Sequence, residues 1–489
     1  MTTPTQSTAA EIAAAPTTIR RPVVLWICCM SMLLVGADAT AVNVALPAIG
    51  REFGIEPTGL AWVIDAYTLI LATFMMAAAS VSDRVGRKRT FRIGIVVFTI
   101  ASALCAFAPG RGWLVTFRAF QAVGATMLNP IALAILVSTF PDRADRARAV
   151  GVWSGANGLS LALGPVIGGA LAGSTFGWRW IFLINLPVGA AMYIATKYFI
   201  QESKAATPRA VDLIGQALLA SMLATMTFGI LEGRELGWAS PAIVGTLATA
   251  LAALAGLLIY EPRRAEPLIE LRLFRSPPFA GANLIAVAAF ASMGSFLFLN
   301  SIYLEQIRGY RPLHAGLLTL PLAAAAFVVG PVNGRILARL GPRPSLLAGG
   351  SALTAGALML TFDSTNPSTP QLLAAYVALG TGIAAVSAPI THIAAAGLPA
   401  GQAGVVGGIA GVTRQFGQTV GVAVAATILT GTGGETGSRN DAVHRGWYLN
   451  VVYGALVLAG AAISTRNLDS VRRRGCGYRT RRRKPAPRA

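Results

Sequence analysis

The sequence predicts an all-α polytopic membrane protein: two six-helix bundles with an extra helix pair between them, fourteen spans in total. Long apolar runs, charge gathered into short turns between them, and an internal repeat at nearly constant spacing carry that prediction. Of the 489 residues, 54% are hydrophobic and 12% charged, where a soluble chain would be about a quarter charged. Apolar runs occupy 23–48, 58–80, 91–109, 113–139, 150–173, 180–200, 213–231, 240–260, 279–304, 313–337, 345–362, 371–396, 403–429 and 447–465. Each is long enough to cross a hydrocarbon core of ~30 Å.

Charge fixes the expected orientation. Ser82-Asp83-Arg84-Val85-Gly86-Arg87-Lys88-Arg89 lies wedged between two apolar runs, as in a short cytoplasmic turn. With the N-terminus inside, most cations fall on the inner side, from Arg20 and Arg21 through the 143–148 and 335–343 turns to the tail. Few, such as Arg51, Arg111 and Arg179, fall outside. The net charge of +20 therefore reads as membrane orientation against anionic lipid rather than nucleic-acid binding. Both termini are expected in the cytoplasm and the chain in the plasma membrane.

Residues 1–21, rich in Thr, Ala and Pro, read as a disordered cytoplasmic leader. They are not a signal peptide, because the following apolar run is too long and contains Asp38. Five glycines superpose at one offset when Gly151–Gly158 is laid over Gly404–Gly411: Gly164 then meets Gly417 and Gly168 meets Gly421. Arg84-Val85-Gly86 matches Arg339-Leu340-Gly341 at nearly the same spacing. This duplication divides the chain into bundles at 22–200 and 279–466, an inserted pair with its linkers at 201–278, and a basic cytoplasmic tail at 467–489.

No catalytic motif is present, and the chain is read as a non-enzyme. None of the four lysines follows a glycine, so a P-loop is absent. His314, His392 and His444 are scattered and suggest no metal site. Cys28, Cys29 and Cys105 read as small apolar filler within spans. No cofactor is expected, and the energy source is expected to be a proton gradient. Ionisable groups inside the spans then carry the argument, because each costs several kcal/mol unless paired or neutralised. Asp38 and Asp65 both fall ~12–15 Å deep on adjacent helices. Arg118 enters the fourth span from the same side, and Arg414 lies in the thirteenth. Asn43, Tyr67, Gln121 and Asn129 join Arg414 as candidates for a substrate cavity, with Phe290, Phe296, Phe298 and Tyr303 as its apolar lining.

From about Pro22 to Arg466 the chain resembles the fourteen-helix drug:proton antiporters of the major facilitator superfamily, the EmrB- and QacA-like exporters. The likeness rests first on Asp38-Ala39-Thr40-Ala41-Val42-Asn43-Val44-Ala45-Leu46-Pro47 and on Trp62-Val63-Ile64-Asp65-Ala66-Tyr67. It rests equally on the Asp83–Lys88 turn, on Arg118-Ala119-Phe120-Gln121-Ala122-Val123-Gly124 and on Gly164-Pro165-Val166-Ile167-Gly168-Gly169. The resemblance implies a major facilitator fold and proton or substrate coupling at Asp38, Asp65 and Arg118. It also implies a conformational latch between the halves at Asp83, Arg84, Gly86 and Arg87, and close antiporter-type packing at Gly164, Pro165, Gly168 and Gly169. The sequence departs at Ala79, where the motif has glycine, and at Ala338, where the repeat lacks the counterpart of Asp83. Trp178 and Arg179 read as interface anchors.

The expected activity is proton-coupled export, by a monomer, of an amphipathic small molecule such as an antibiotic or secondary metabolite. Heavy Ala, Gly and Arg usage fits a G+C-rich bacterial source. No acid falls in 313–337 or 403–429, so Arg118 and Arg414 leave a neutral or anionic substrate open. The alternatives are a proton-coupled uptake symporter of the same fold and a non-transporting membrane sensor. The Gly164–Gly169 element speaks against the first, and the lack of a recognisable output domain against the second.

Overall fold

A computed structural model describes residues 21–205, 211–264, 267–362, 367–395, 403–430 and 436–479. Fourteen long helices follow one another: α1 (Arg21–Phe53), α2 (Pro57–Val85) and α3 (Arg87–Ala106), α4 (Arg111–Thr139), α5 (Arg143–Ala172) and α6 (Gly177–Phe199). Next come α7 (Leu213–Glu232) and α8 (Pro241–Tyr260), then α9 (Pro277–Ile307) and α10 (Pro312–Leu340). The chain continues through α11 (Pro342–Thr361), α12 (Thr369–Ala395), α13 (Ala403–Leu429) and α14 (Thr436–Arg479). No strand occurs among the described residues. Thirteen of these helices are long and apolar enough to cross a membrane, and the protein is a multi-pass membrane protein. The remaining helix is α13, whose middle carries Arg414, Gln415 and Gln418.

Two boundaries differ from the sequence reading. Helix α14 continues past 465 as far as Arg479, through residues assigned to the tail. The ninth span ends in a π-helical turn, Tyr303–Ile307, and so takes in Glu305. The leader to residue 20 and the tail from residue 480 lie outside the described residues.

Packing repeats between the halves. A methyl built on Gly168 of α5 would lie 2.7 Å from the Ala41 carbonyl oxygen of α1, and one on Gly164 would strike Thr40. Gly417 and Gly421 of α13 press in the same way on the backbone of Val287 and Ala291 in α9. Small residues let the helix axes approach until backbones touch. The two repeat turns also correspond: Gly86 has φ 126° and Gly341 φ 82°, a region that a side chain rarely tolerates.

The end bearing Arg21, the 83–88 turn and the 201–205 linker is the basic end. At the opposite end α5 and α10 are in backbone contact: a methyl on Gly169 would collide with the Pro312 carbonyl, and one on Gly316 with that of Pro165. Towards the basic end the contact thins to 3.8 Å, from a Gly158 methyl to Phe327. Beyond it Gly151, Gly155, Gly330 and Gly334 have nothing within 4 Å. Helices α5 and α10 are therefore shut at the far end and parted at the basic end.

The inserted pair lies over the seam where α2 meets α13. Gln216 and Glu232 on α7, with Glu235 just beyond it, bond to the backbone of Thr73 (2.5 Å) and to the side chains of Trp62 (2.8 Å) and Thr58 (2.5 Å). Thr427 of α13 donates to the Ile230 carbonyl (2.9 Å), and Arg234 to the Thr427 carbonyl (3.3 Å). At the middle of α13, Phe416 packs against the apolar cluster that holds Leu219 and Leu223 of α7.

Candidate functional site: a sealed acid–arginine network in the first bundle

Asp38, on α1, is 3% exposed and Arg118, on α4, is 1% exposed. The Arg118 guanidinium donates to Asp38 Oδ2 at 2.6 Å. The other carboxylate oxygen, Oδ1, accepts from Gln121 Nε2 and Asn185 Nδ2, each at 3.0 Å. Arg118 also donates to Gln121 Oε1 (2.6 Å) and to the Val63 carbonyl (3.2 Å), and its guanidinium lies 4.1 Å from the Tyr67 ring centroid. Ser102 of α3 accepts from both amides. One carboxylate thus ties α1, α4 and α6 together, and α2 is drawn in through the arginine. A buried charge pair is tolerable when its remaining hydrogen-bonding capacity is met, as it is here.

The sequence grouped Asp38, Asp65 and Arg118; the structure joins Asp38 to Arg118 and sets Asp65 apart from them. Val63 and Tyr67, four residues apart on α2, face Arg118. Asp65 points to the opposite side of that helix, sharing its face with Trp62, whose indole bonds to α7. Equal depth did not imply equal direction, because two residues along a helix is a rotation of about 200°. Asp65 is 0% exposed, and neither carboxylate oxygen has a hydrogen-bond partner. The nearby Thr68 hydroxyl turns instead to Thr419 of α13 at 2.7 Å. An ionised carboxylate stripped of water and donors costs several kcal/mol, so charge at Asp65 is tied to whether water reaches this seam.

Among the cavity candidates, Tyr67 and Gln121 belong to the sealed network rather than to an open wall, both 0% exposed. Asn129 is half-buried beside Pro130, where α4 is interrupted, and its Oδ1 has no partner. Asn43 does line a small gap between the halves, about 10 Å³, together with Thr40, Pro165, Asn300, Ser301 and Thr319. On the side of the closed end, Ser301 donates to the Asn43 carbonyl at 2.5 Å. Phe296, Phe298 and Tyr303 are core residues, with Phe296 and Tyr303 stacking around Trp447, so they line nothing. Phe290 alone stays half-buried, beside Arg414.

The 83–88 turn is fastened within itself and to the linker that follows the sixth helix. Asp83 pairs with Arg87 at 2.9 Å within the turn. The backbone ties run to the linker, from Arg87 N to Ser203 O and from Ala205 N to Asp83 O. Glu202, which the sequence reading missed, accepts from the backbone N–H groups of Lys88 (3.0 Å) and Arg89 (3.1 Å). A carboxylate there satisfies orphan donors and complements the helix dipole of α3. Glu202→Ala is expected to lower stability by about 1 kcal/mol, read as a fall in the melting temperature of the purified protein. An unchanged melting curve would remove Glu202 as a cap. Trp178 is not an interface anchor either: it is 2% exposed and donates to Glu52 at 2.7 Å, beside the Arg179–Glu52 pair.

Comparison with known proteins decides the family. The profile of the Major Facilitator Superfamily matches residues 28–422. The chain belongs to the Major Facilitator Superfamily. Multidrug resistance protein Stp of Mycobacterium tuberculosis is 36% identical over 400 residues, covering 82% of this chain and 74% of that protein. The tetracenomycin C resistance and export protein of Streptomyces glaucescens is 33% identical over 410 residues, 83% of this chain and 75% of its own. The methylenomycin A resistance protein of Streptomyces coelicolor is 36% identical over 401 residues, 81% and 83% of the two chains. In fold, the chain superposes on a bacterial homolog of the human lysosomal transporter Spinster with a TM-score of 0.68 at 15% identity. That match covers 91% of this chain and 97% of the other.

Proposed function

We propose that this protein exports an amphipathic small molecule of the antibiotic or secondary-metabolite class across the plasma membrane in exchange for protons. The positive-inside rule puts its basic end and both termini in the cytoplasm. The reading is of a transporter without an enzymatic activity or a bound cofactor, working as a monomer. The observation that carries it is the Asp38 network, a buried charge pair whose attraction a single proton would cancel. Support comes also from the relatives named for drug resistance and export.

The proposed coupling runs through backbone contacts. A proton on Asp38 removes its attraction for Arg118, leaving the guanidinium to Gln121 Oε1 and the Val63 carbonyl. Helix α1 is then released from α4. Two residues along α1, Thr40 presses on Gly164 of α5, whose Gly169 meets α10 in the closed end. Movement of α1 thereby reaches the contact that shuts the outer side, and cargo can leave as the proton enters. Asp65, sealed at the α2–α13 seam, is exposed to water only when the bundles part there, which suits a second proton site.

Inverted membrane vesicles test this reading. Internal acidification is expected to drive accumulation of an exported drug, and an uncoupler to collapse it. Accumulation indifferent to the uncoupler would remove the proton claim. Asp65→Asn is expected to keep or slightly raise thermal stability, because no partner is lost, while the pH dependence of transport changes. An unchanged pH profile would confine coupling to Asp38.

A further inference from the structure

Arg414 is a cation within a span whose charge no described carboxylate answers. It lies on α13, half-buried, with Nη2 donating to Thr391 Oγ1 of α12 at 2.5 Å and the guanidinium 5.7 Å from the Phe290 ring of α9. Its Nε is buried and has no hydrogen-bond partner. Among the described residues no carboxylate pairs with it. Arg118, by contrast, has Asp38, two further acceptors and the Tyr67 and Phe182 rings around it.

Nor does the free acid of α2 answer it. Contacts between Thr68 and Thr419, and between Met75 and Gly411, set the antiparallel register of α2 and α13. That register puts Arg414 level with about residue 72, roughly two turns to the basic side of Asp65. A guanidinium in a span without a counter-charge costs several kcal/mol, and one with its Nε–H unspent beside an aromatic ring is suited to a planar anion. The half-buried Arg414, Thr391 and Phe290 all belong to the second bundle, and no acid among the described residues pairs with Arg414.

We propose that Arg414, with Thr391 and Phe290, recognises a negatively charged group, a carboxylate, phenolate or sulfonate, on an aromatic molecule carried by this protein. The proposal rests on the export reading for the word "carried" but not for the binding itself. An anionic lipid headgroup presents the same chemistry, and the test separates the two sources.

Binding of three naphthalene probes to the purified full-length protein in neutral detergent is measured by quenching of intrinsic fluorescence: 2-naphthoate, 2-naphthamide and 2-naphthylmethylammonium. Wild type is expected to bind the carboxylate about tenfold more tightly than the amide, and the ammonium least. Arg414→Gln is expected to lose about that factor for the carboxylate and under about twofold for the amide, with Arg414→Lys between them. Equal affinities in wild type, preference for the ammonium, no carboxylate binding, or an unaffected Arg414→Gln variant would each overturn the proposal. Displacement of 2-naphthoate by stoichiometric phosphatidylglycerol would assign the site to lipid and overturn it too. If Arg414→Gln does not fold, the ranking of the probes by wild type decides alone. Carboxylate binding that persists in protein unable to transport any drug in liposomes would sink the export reading and leave anion recognition standing.

Discussion

Asp38→Asn is expected to bring proton-linked transport to background in sealed vesicles. The amide can still meet one donor, but it carries no charge and binds no proton at working pH, so Arg118 is left as a buried cation. Removing one partner of such a pair costs about 3–5 kcal/mol, enough to lower expression as well. For that reason the decisive measurement is the double variant Asp38→Asn/Arg118→Gln. Deleting both charges is expected to recover much of the thermal stability, because no ion is then stranded, while transport stays at background. Transport in either variant at the wild-type rate would remove Asp38 from the mechanism.

The second large effect is expected at the closed end. Gly169→Leu would force a side chain into the Pro312 carbonyl, and Gly316→Leu one into that of Pro165. Backbone cannot yield as a side-chain tip does, so the α5–α10 contact should fail to form. Both variants are expected to fold, because each bundle keeps its own core, yet to lose transport almost entirely. Cysteines placed at Asn43 or Asn300 should become reactive to an impermeant reagent from the outer face. Normal transport by both variants would show that closure of α5 on α10 is dispensable.

Much of this architecture was legible before any coordinates, for physical reasons that can be named. Hydrocarbon imposes a length on each span and expels charge to the turns, so the runs and the 83–88 cluster marked the helices. Backbone contact demands glycine, so Gly164 and Gly168 announced their own repeat in Gly417 and Gly421. The partners of Asp38 were harder to read. Ser102 and Asn185 are ordinary polar residues in apolar runs, and nothing local says that α3 and α6 bring them to α1. The helical period could have warned that Asp65 turns away from the side of Val63 and Tyr67, but depth was used without rotation. Glu305 was lost by ending a span at 304, one residue short and already inside the π turn. It is a buried acid with neither oxygen bonded, found only once the backbone was traced. Glu202 lies 114 residues from the N–H of Lys88 that it caps, a distance no local motif spans.

Among the described residues, helix α7 hydrogen-bonds α2 at both of its ends and α13 at one. A strut bolted twice to one arm and once to the other behaves as a lever with its fulcrum at the single bolt, here around Thr427. The added pair should ride with the first arm, gliding over Phe416 while the far tip scarcely shifts. Small travel at the pivot becomes a wide mouth at the other end, and the greasy slide keeps the moving joint dry.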